Sequence, residues 1–410
     1  MPELFNVLPP SDALALLRRN VPVRATVERL ATASALGRFL AGDVQSPEDL
    51  PAFPRSAMDG FSVRARDTFG ASEGLPAYFT IVGDLATGRP PTVAVREGEA
   101  VRAHTGGALA KDADAVVIVE HTQQVDATSI EVVRAVAPGE NVVQVGEDVR
   151  KGDLVLAKGH RLRPQDLGGL LALGIVGVPV ARRPRVAIVS TGDEVVPPTA
   201  KPGPAQVRDV NSYTLAGLTE SAGGEPIAYE IVGDDEPALR HAAERALRDA
   251  DIVAISAGSS VSTRDMTAQV IQSLGKPGIL LHGVSLRPGK PTILAVVGDK
   301  PVFGLPGNPV SAMIVFDLFV RPAIAWLSGC AEAPAPPAVR ATLARDVPSA
   351  AGREDYVPVR LVQRDGRLFA EPVFGKSNLI YTLVRADGIM QVPLDKAGLY
   401  AGDEVMVRPL

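Results

Sequence analysis

At 410 residues, the chain exceeds what one hydrophobic core fills, so two to four domains are expected. A net charge of −5 excludes a general nucleic-acid binder, whose affinity rests on basic surface, and the single cysteine, Cys330, excludes a disulfide framework and a cysteine-based zinc site. No apolar run of 18 residues and no basic-then-apolar leader is expected, so the default is a cytoplasmic, soluble chain with no membrane partner.

Residues 10–19 read as a helix capped by Ser11, and residues 31–40 as a second helix. Three prolines between 46 and 55 favour extended chain. Ser56-Ala-Met-Asp-Gly60 then forms a small-residue turn leading into the alternating strand Phe61-Ser-Val-Arg64. Short strand-like runs at 77–82, 99–103, 115–120 and 129–136 predict a β-rich segment. Within it, Val101-Arg-Ala-His-Thr-Gly-Gly107 ends a strand in residues that let the backbone approach a ligand closely. His104 has no second ligand residue at metal spacing. Gly146-Glu-Asp148 lies in a turn-rich stretch, and residues 164–174 predict a helix from Pro164 to a Gly174 cap.

From Arg185 the pattern changes. Apolar strands at 186–189, 226–232, 252–256, 278–284, 291–297 and 301–304 alternate with helices at 212–222, 237–250, 266–274 and 309–327. Buried strands alternating with helices predict an α/β fold with a doubly wound, mainly parallel sheet. Residues 331–337 read as a linker, and the last ~75 residues as a small β-barrel or sandwich. No internal repeat is evident.

In such a sheet, ligands bind at the carboxyl ends of the strands. Four segments fall there. Thr191-Gly-Asp-Glu194 offers two carboxylates able to hold Mg²⁺, or simply an acidic helix start; Asp193 and Glu194 remain alternatives. Ser256-Ala-Gly-Ser-Ser260 supplies amides and hydroxyls for a phosphate, with Asp265 nearby as a helix cap or a ligand contact. It is neither a P-loop nor a dinucleotide loop, which removes the usual support for nucleotide hydrolysis and hydride transfer. Arg287-Pro-Gly-Lys290 sets two cations on a stiff turn. In Gly304-Leu-Pro-Gly-Asn-Pro309, two prolines and two glycines present the backbone rigidly.

Taken in order, Ser56-Ala-Met-Asp-Gly-Phe61, His104-Thr-Gly-Gly107, Gly146-Glu-Asp148, Ser190-Thr-Gly-Asp-Glu194, residues 256–265, Arg287-Pro-Gly-Lys-Pro291 and Gly304-Leu-Pro-Gly-Asn-Pro309 resemble the motifs of the molybdopterin molybdenumtransferase family. They cover nearly the whole chain. The resemblance implies four domains: an elongated one from residues 1–50 and 140–178, a β-rich insertion at 51–139, an α/β molybdopterin-binding domain at 179–330, and a C-terminal barrel at 331–410. It implies a homodimer whose site lies between the α/β domain of one subunit and the inserted domain of the other. The upstream partner would be a molybdopterin adenylyltransferase. The implied reaction takes adenylylated molybdopterin, molybdate and Mg²⁺, and releases AMP.

By resemblance, Glu194 and Asp265 take the metal, joined by Asp234 near the substrate phosphates. Arg287 and Lys290 hold oxyanion oxygens, Asp59, Thr105 and Asp148 complete the site, and Arg353 reaches the same cleft. Ser256, Gly258, Ser259, Ser260, Pro306 and Asn308 form the substrate cradle. The chain departs from the family in Ser256-Ala-Gly-Ser-Ser-Val-Ser262, which replaces Ser-Gly-Gly-Val-Ser-x-Gly, and in Arg287, which replaces a lysine. Gly375-Lys-Ser-Asn378 only approximates the family's glycine-serine tail motif. Other readings are a non-catalytic scaffold of the gephyrin E-domain type, a tungstate-handling variant, and a related nucleotide- or pterin-processing enzyme; the Ser56–Gly60 motif disfavours the last.

Overall fold

The computed structural model describes residues 7–257, 261–332 and 337–410. Its contacts divide the chain into two units: residues 1–42, 158–163 and 178–410 in one, and residues 43–157 and 164–177 in the other.

The second unit is built on a six-stranded sheet in the order Ala115–Ile118, Gly60–Val63, Glu99–Ala103, Ala77–Asp84, Ser129–Val132, Thr122–Gln124. All neighbours pair antiparallel except Ala77–Asp84 with Glu99–Ala103. Phe61, Val63, Phe79, Val117, Ile130 and Val132 fill its core. Each expected run of this segment holds a strand; Ala115–Ile118 stops short of residue 120, and Thr122–Gln124 was not expected.

The first unit contains the α/β domain: β1 (Arg185–Ser190), α1 (Asn211–Ser221), β2 (Glu225–Ala228), α2 (Glu236–Asp249), β3 (Ile252–Ala257), α3 (Val261–Ser273), β4 (Pro277–His282), β5 (Ile293–Val297) and β6 (Lys300–Pro306). The sheet order is β2-β1-β3-β6-β5-β4. The first four strands are mutually parallel, while β5 runs against both of its neighbours. Side chains alternate between two cores: Val186, Ile188, Ile252 and Ala254 enter one, and Ala187, Val189, Val253 and Ile255 enter the other. Burial on both faces is why these strands read as unbroken apolar runs.

The unit ends in a closed five-stranded barrel: β7 (Val339–Leu343), β8 (Glu354–Arg364), β9 (Arg367–Pro372), β10 (Gly388–Val392) and β11 (Glu404–Pro409), in the order β8-β9-β7-β11-β10 and back to β8. A short strand of the α/β domain, Leu286–Arg287, joins this barrel by pairing parallel with Glu354 and Asp355 of β8.

Four expectations are corrected. The first helix, Pro10–Asn20, starts after Pro9 with no side-chain cap, so Ser11 lies inside it. Residues 31–40 are not a helix: the strand Val27–Ala31 leads into a single 3-10 turn, Thr32–Ser34. There the amides of Gly37, Leu40 and Ala41 donate to the carbonyls of Leu162, His160 and Pro179, so long-range pairing overrides an alanine-rich local preference. Helix α3 begins at Val261 rather than Met266, which puts Asp265 inside its second turn and not at its cap. Finally, Pro309–Leu327 is a 19-residue helix apolar enough to cross a membrane, against the expectation that no such run exists. Its window is 78% buried, and Phe316, Phe319, Ile324 and Trp326 pack into the α/β core, so this run is a core helix, here α4. The expected linker at 331–337 lies partly outside the described residues.

Candidate active site

Backbone hydrogen bonds join the carboxyl end of β1 to that of β3 and to the chain after β2. The Thr191 amide donates to the Ser256 carbonyl (2.9 Å), and the Gly192 amide to the Val232 carbonyl (3.0 Å). Beneath them lies a buried polar layer. Asn211, at the start of α1, donates from its amide nitrogen to Ser256 Oγ (2.7 Å) and to the Gly307 carbonyl (2.8 Å). Because the Gly307 carbonyl can only accept, it fixes which way this amide faces. Ser256 is buried, and Asn211 ties it, and with it the end of β3, to the Gly307–Asn308 peptide. Sequence reasoning named Ser256 but missed Asn211, which carries no motif of its own.

The two carboxylates after β1 make different contacts. Asp193 Oδ1 accepts the Asp234 amide (3.0 Å), so Asp193 caps the loop that carries Asp234. Glu194 folds back over Gly192. A β-carbon built on Gly192 would lie 2.6 Å from Glu194 Oε2, and this glycine also has φ +137°. Only glycine combines that backbone conformation with that close approach. Asp234 and Asp265 are exposed. Gly258, Ser259 and Ser260 of the expected cradle lie outside the described residues.

Among the described residues, no group of three or more His, Cys, Asp or Glu side chains is gathered to hold a metal ion. Magnesium does not need one: it commonly binds through one or two carboxylates with water and substrate phosphates completing its shell. Glu194, Asp234 and Asp265 are carboxylates, the oxygen donors that ion takes.

The second part of the site is a cavity of ≈860 Å³ between the α/β domain and the barrel. Arg287, Lys290, Pro306, Asn308 and Arg353, all expected from sequence, line it together. Gly289, with φ +118°, makes the turn between the two cations possible; a β-carbon there would lie 2.7 Å from both Leu286 Cδ1 and Val315 Cγ2. Asn308 donates to Ser377 Oγ (3.0 Å), and the Val310 amide to the Ser377 carbonyl (3.1 Å). The loosely matching Gly375-Lys-Ser-Asn378 segment is thus a wall of the cavity, and it adds Lys376. Tyr356 also lines it; burial, and then its hydroxyl's bond to Glu354, push the phenol's pKa up.

In the other unit, Asp59 Oδ1 accepts both the amide (2.8 Å) and the hydroxyl (3.0 Å) of Thr105. These two bonds hold the Asp59 carboxyl below its ordinary pKa, the backbone bond contributing most. His104 pairs with Asp84 (2.8 Å), a surface ion pair when the imidazole is protonated. Asp148 is exposed, with its amide bonded to the Leu50 carbonyl (3.0 Å).

An open α/β sheet with a carboxylate-bearing edge, an adjoining cationic cleft and a separate β-rich unit defines a multidomain ligand-binding protein of the α/β class. The chain matches the MoeA N-terminal region (domain I and II) over residues 8–174, a probable molybdopterin binding domain over 187–326, and the MoeA C-terminal region (domain IV) over 340–410. A putative molybdopterin biosynthesis protein of Methanocaldococcus jannaschii is 37% identical over 396 residues, spanning 93% of this chain and 92% of that one. A molybdopterin molybdenumtransferase of Bacillus subtilis is 32% identical, spanning 93% and 89%. A crystal structure of a molybdopterin biosynthesis MoeA protein from Pyrococcus horikoshii OT3 superposes with a TM-score of 0.86 at 33% identity, spanning 99% of this chain and 100% of that one. The chain belongs to the MoeA family of molybdopterin molybdenumtransferases.

Proposed function

We propose that this chain inserts molybdenum into molybdopterin as a transferase of molybdenum cofactor synthesis, taking adenylylated molybdopterin and molybdate and releasing AMP. The observation that carries this reading is the arrangement of one carboxylate-bearing sheet edge beside one cleft lined by Arg287, Lys290, Arg353 and Lys376. The reaction needs both. Cleaving the bond between the molybdopterin phosphate and AMP builds negative charge on the departing phosphate, and molybdate is itself an oxyanion.

Glu194 and Asp265 would hold Mg²⁺, with Asp234 beside the substrate phosphates. When bound, Mg²⁺ supplies a Lewis acid for the phosphate that leaves. Asp193 keeps the Asp234 loop in place. Arg287, Lys290 and Arg353 bind and orient oxyanion oxygens, Arg through its planar fork and Lys as a point charge. Pro306 and Asn308 fix the rim against the barrel. The direct assay supplies adenylylated molybdopterin, molybdate and Mg²⁺ and measures AMP and active cofactor. Tight pterin binding without AMP release would instead mark a scaffold.

The reading includes a cytoplasmic homodimer in which Asp59, Thr105 and Asp148 of one copy complete the site of the other. Asp59→Ala and Glu194→Ala homodimers are each expected to be inactive. Mixed and allowed to exchange subunits, they are expected to regain about a quarter of parental activity, because half of the randomly formed dimers hold one intact site of two. A mixture that stays inactive after proven exchange, or a protein that runs only as a monomer on gel filtration, removes the composite site.

A further inference from the structure

We infer that Asp355 is a positioning residue that sets the oxyanion selectivity of the cationic cleft, an inference that rests on the oxyanion reading of that cleft. Three features of the chain bring it there. Leu286–Arg287 pairs with the start of β8 so that Arg287 is the direct partner of Asp355. Partners across a ladder share a face, and Arg353, in the bend just before β8, reaches Asp355 through its guanidinium. Arg287, Asp355 and Arg353 therefore stand side by side on one wall.

The contacts agree. Asp355 is 4% exposed. Its carboxylate accepts from Arg353 Nε (2.8 Å) and the second guanidinium nitrogen, Nη2 (3.4 Å), and lies 3.7 Å from Arg287 Nη1. It is the one carboxylate among the described residues lining a cavity that also carries Arg287, Lys290, Arg353 and Lys376. The two arginines are held unequally. Arg353 is locked in plane by Asp355, while Arg287, with 65% of its side chain exposed, is only restrained.

A locked fork and a restrained one differ in what they select. Four unopposed cations would attract any anion with little regard to size. A buried carboxylate between two of them screens part of that attraction and leaves a fixed donor geometry to choose among tetrahedral dianions. Arg287 in place of a lysine gives the second fork the length to reach this carboxylate. Asp355 itself faces guanidinium groups and need not touch substrate.

The test compares molybdate with sulfate, a smaller tetrahedral dianion, in the full-length protein. Asp355→Asn keeps the shape and removes the charge. Molybdate KM is expected to rise and the sulfate inhibition constant to fall, so that the ratio of sulfate Ki to molybdate KM drops about tenfold or more. A merely structural role would lower the melting temperature and kcat but leave this ratio unchanged, and that result overturns the inference. Should Asp355→Asn fail to fold, Asp355→Glu carries the test. It keeps the charge but displaces the carboxylate by one methylene, and is expected to lower the ratio about threefold; a parental ratio overturns the inference. Arg287→Ala and Lys290→Ala serve as controls: unchanged molybdate KM in both would remove the oxyanion reading itself, independently of Asp355.

Discussion

Glu194→Ala and Asp265→Ala are each expected to lower AMP release by about 100-fold or more, with the melting temperature close to that of the parent. The magnitude follows from what the carboxylates would do: hold the cation that neutralises charge on the departing phosphate, a term worth several kcal/mol in a positioned site. The spared stability follows from their location. Asp265 is exposed on α3 and Glu194 is half-buried above Gly192, outside both hydrophobic layers. Asp193→Ala is the informative companion. One of its oxygens accepts the Asp234 amide, so its removal frees the Asp234 loop and is expected to cost much less activity than Glu194→Ala. Single-turnover AMP release with a Mg²⁺ titration separates the cases. Full turnover in both Glu194→Ala and Asp265→Ala would refute the assignment.

Gly60→Ala is expected to unfold the β-rich unit, a loss above about 4 kcal/mol. Gly60 is buried and pairs on one side with Ala103 and on the other with Ile118. An added β-carbon would lie 2.0 Å from the Val117 carbonyl oxygen and 2.9 Å from its carbon. Both are backbone atoms of the paired neighbour strand, so no side chain can rotate out of the way, and that strand itself must shift. Hydrogen exchange resolved by segment should show protection lost over residues 60–132 while β1, β3 and β6 stay protected. Asp59→Asn, one residue earlier, should keep that protection, which distinguishes a chemical role for the motif's aspartate from the packing role of its glycine. Native exchange throughout in Gly60→Ala would contradict the packing argument.

Much of the fold was legible because its signals are local. Val186, Ile188, Val253 and Ile255 lie in strands buried on both faces, and such strands leave unbroken apolar runs. Pro309 at a helix start after Asn308 was readable for the same reason, since proline's fixed φ suits the first turn. What escaped was non-local. Residues 31–40 look helical until partners more than a hundred positions away claim their amides. Val261-Ser-Thr reads as loop because β-branched and hydroxylated residues disfavour helix, yet α3 starts there. In the site, Arg287 and Lys290 were visible as charges on a stiff turn, and Arg353 only through the family resemblance. Asp355 was not, although it is only two residues from Arg353. Its role arises from the register of a two-residue strand with a partner 68 positions on, which no spacing rule reveals. Asn211 escaped because one buried amide has no pattern.

The short strand at Leu286–Arg287 also bears on how the protein melts. The α/β domain lends that strand to the barrel, the Glu354 amide bonds the Ser285 carbonyl (3.0 Å), and Arg408 of β11 reaches Asp317 of α4 (3.3 Å). The barrel closes on its own five strands, but the start of β8 takes a further backbone partner from the preceding domain. Residues 178–410 should therefore lose structure in one cooperative step, and a fragment holding only residues 338–410 should be far less stable than the barrel within the full chain. Both walls of the cleft fall in one contact unit, and a hydrogen-bonded ladder ties one wall to the other.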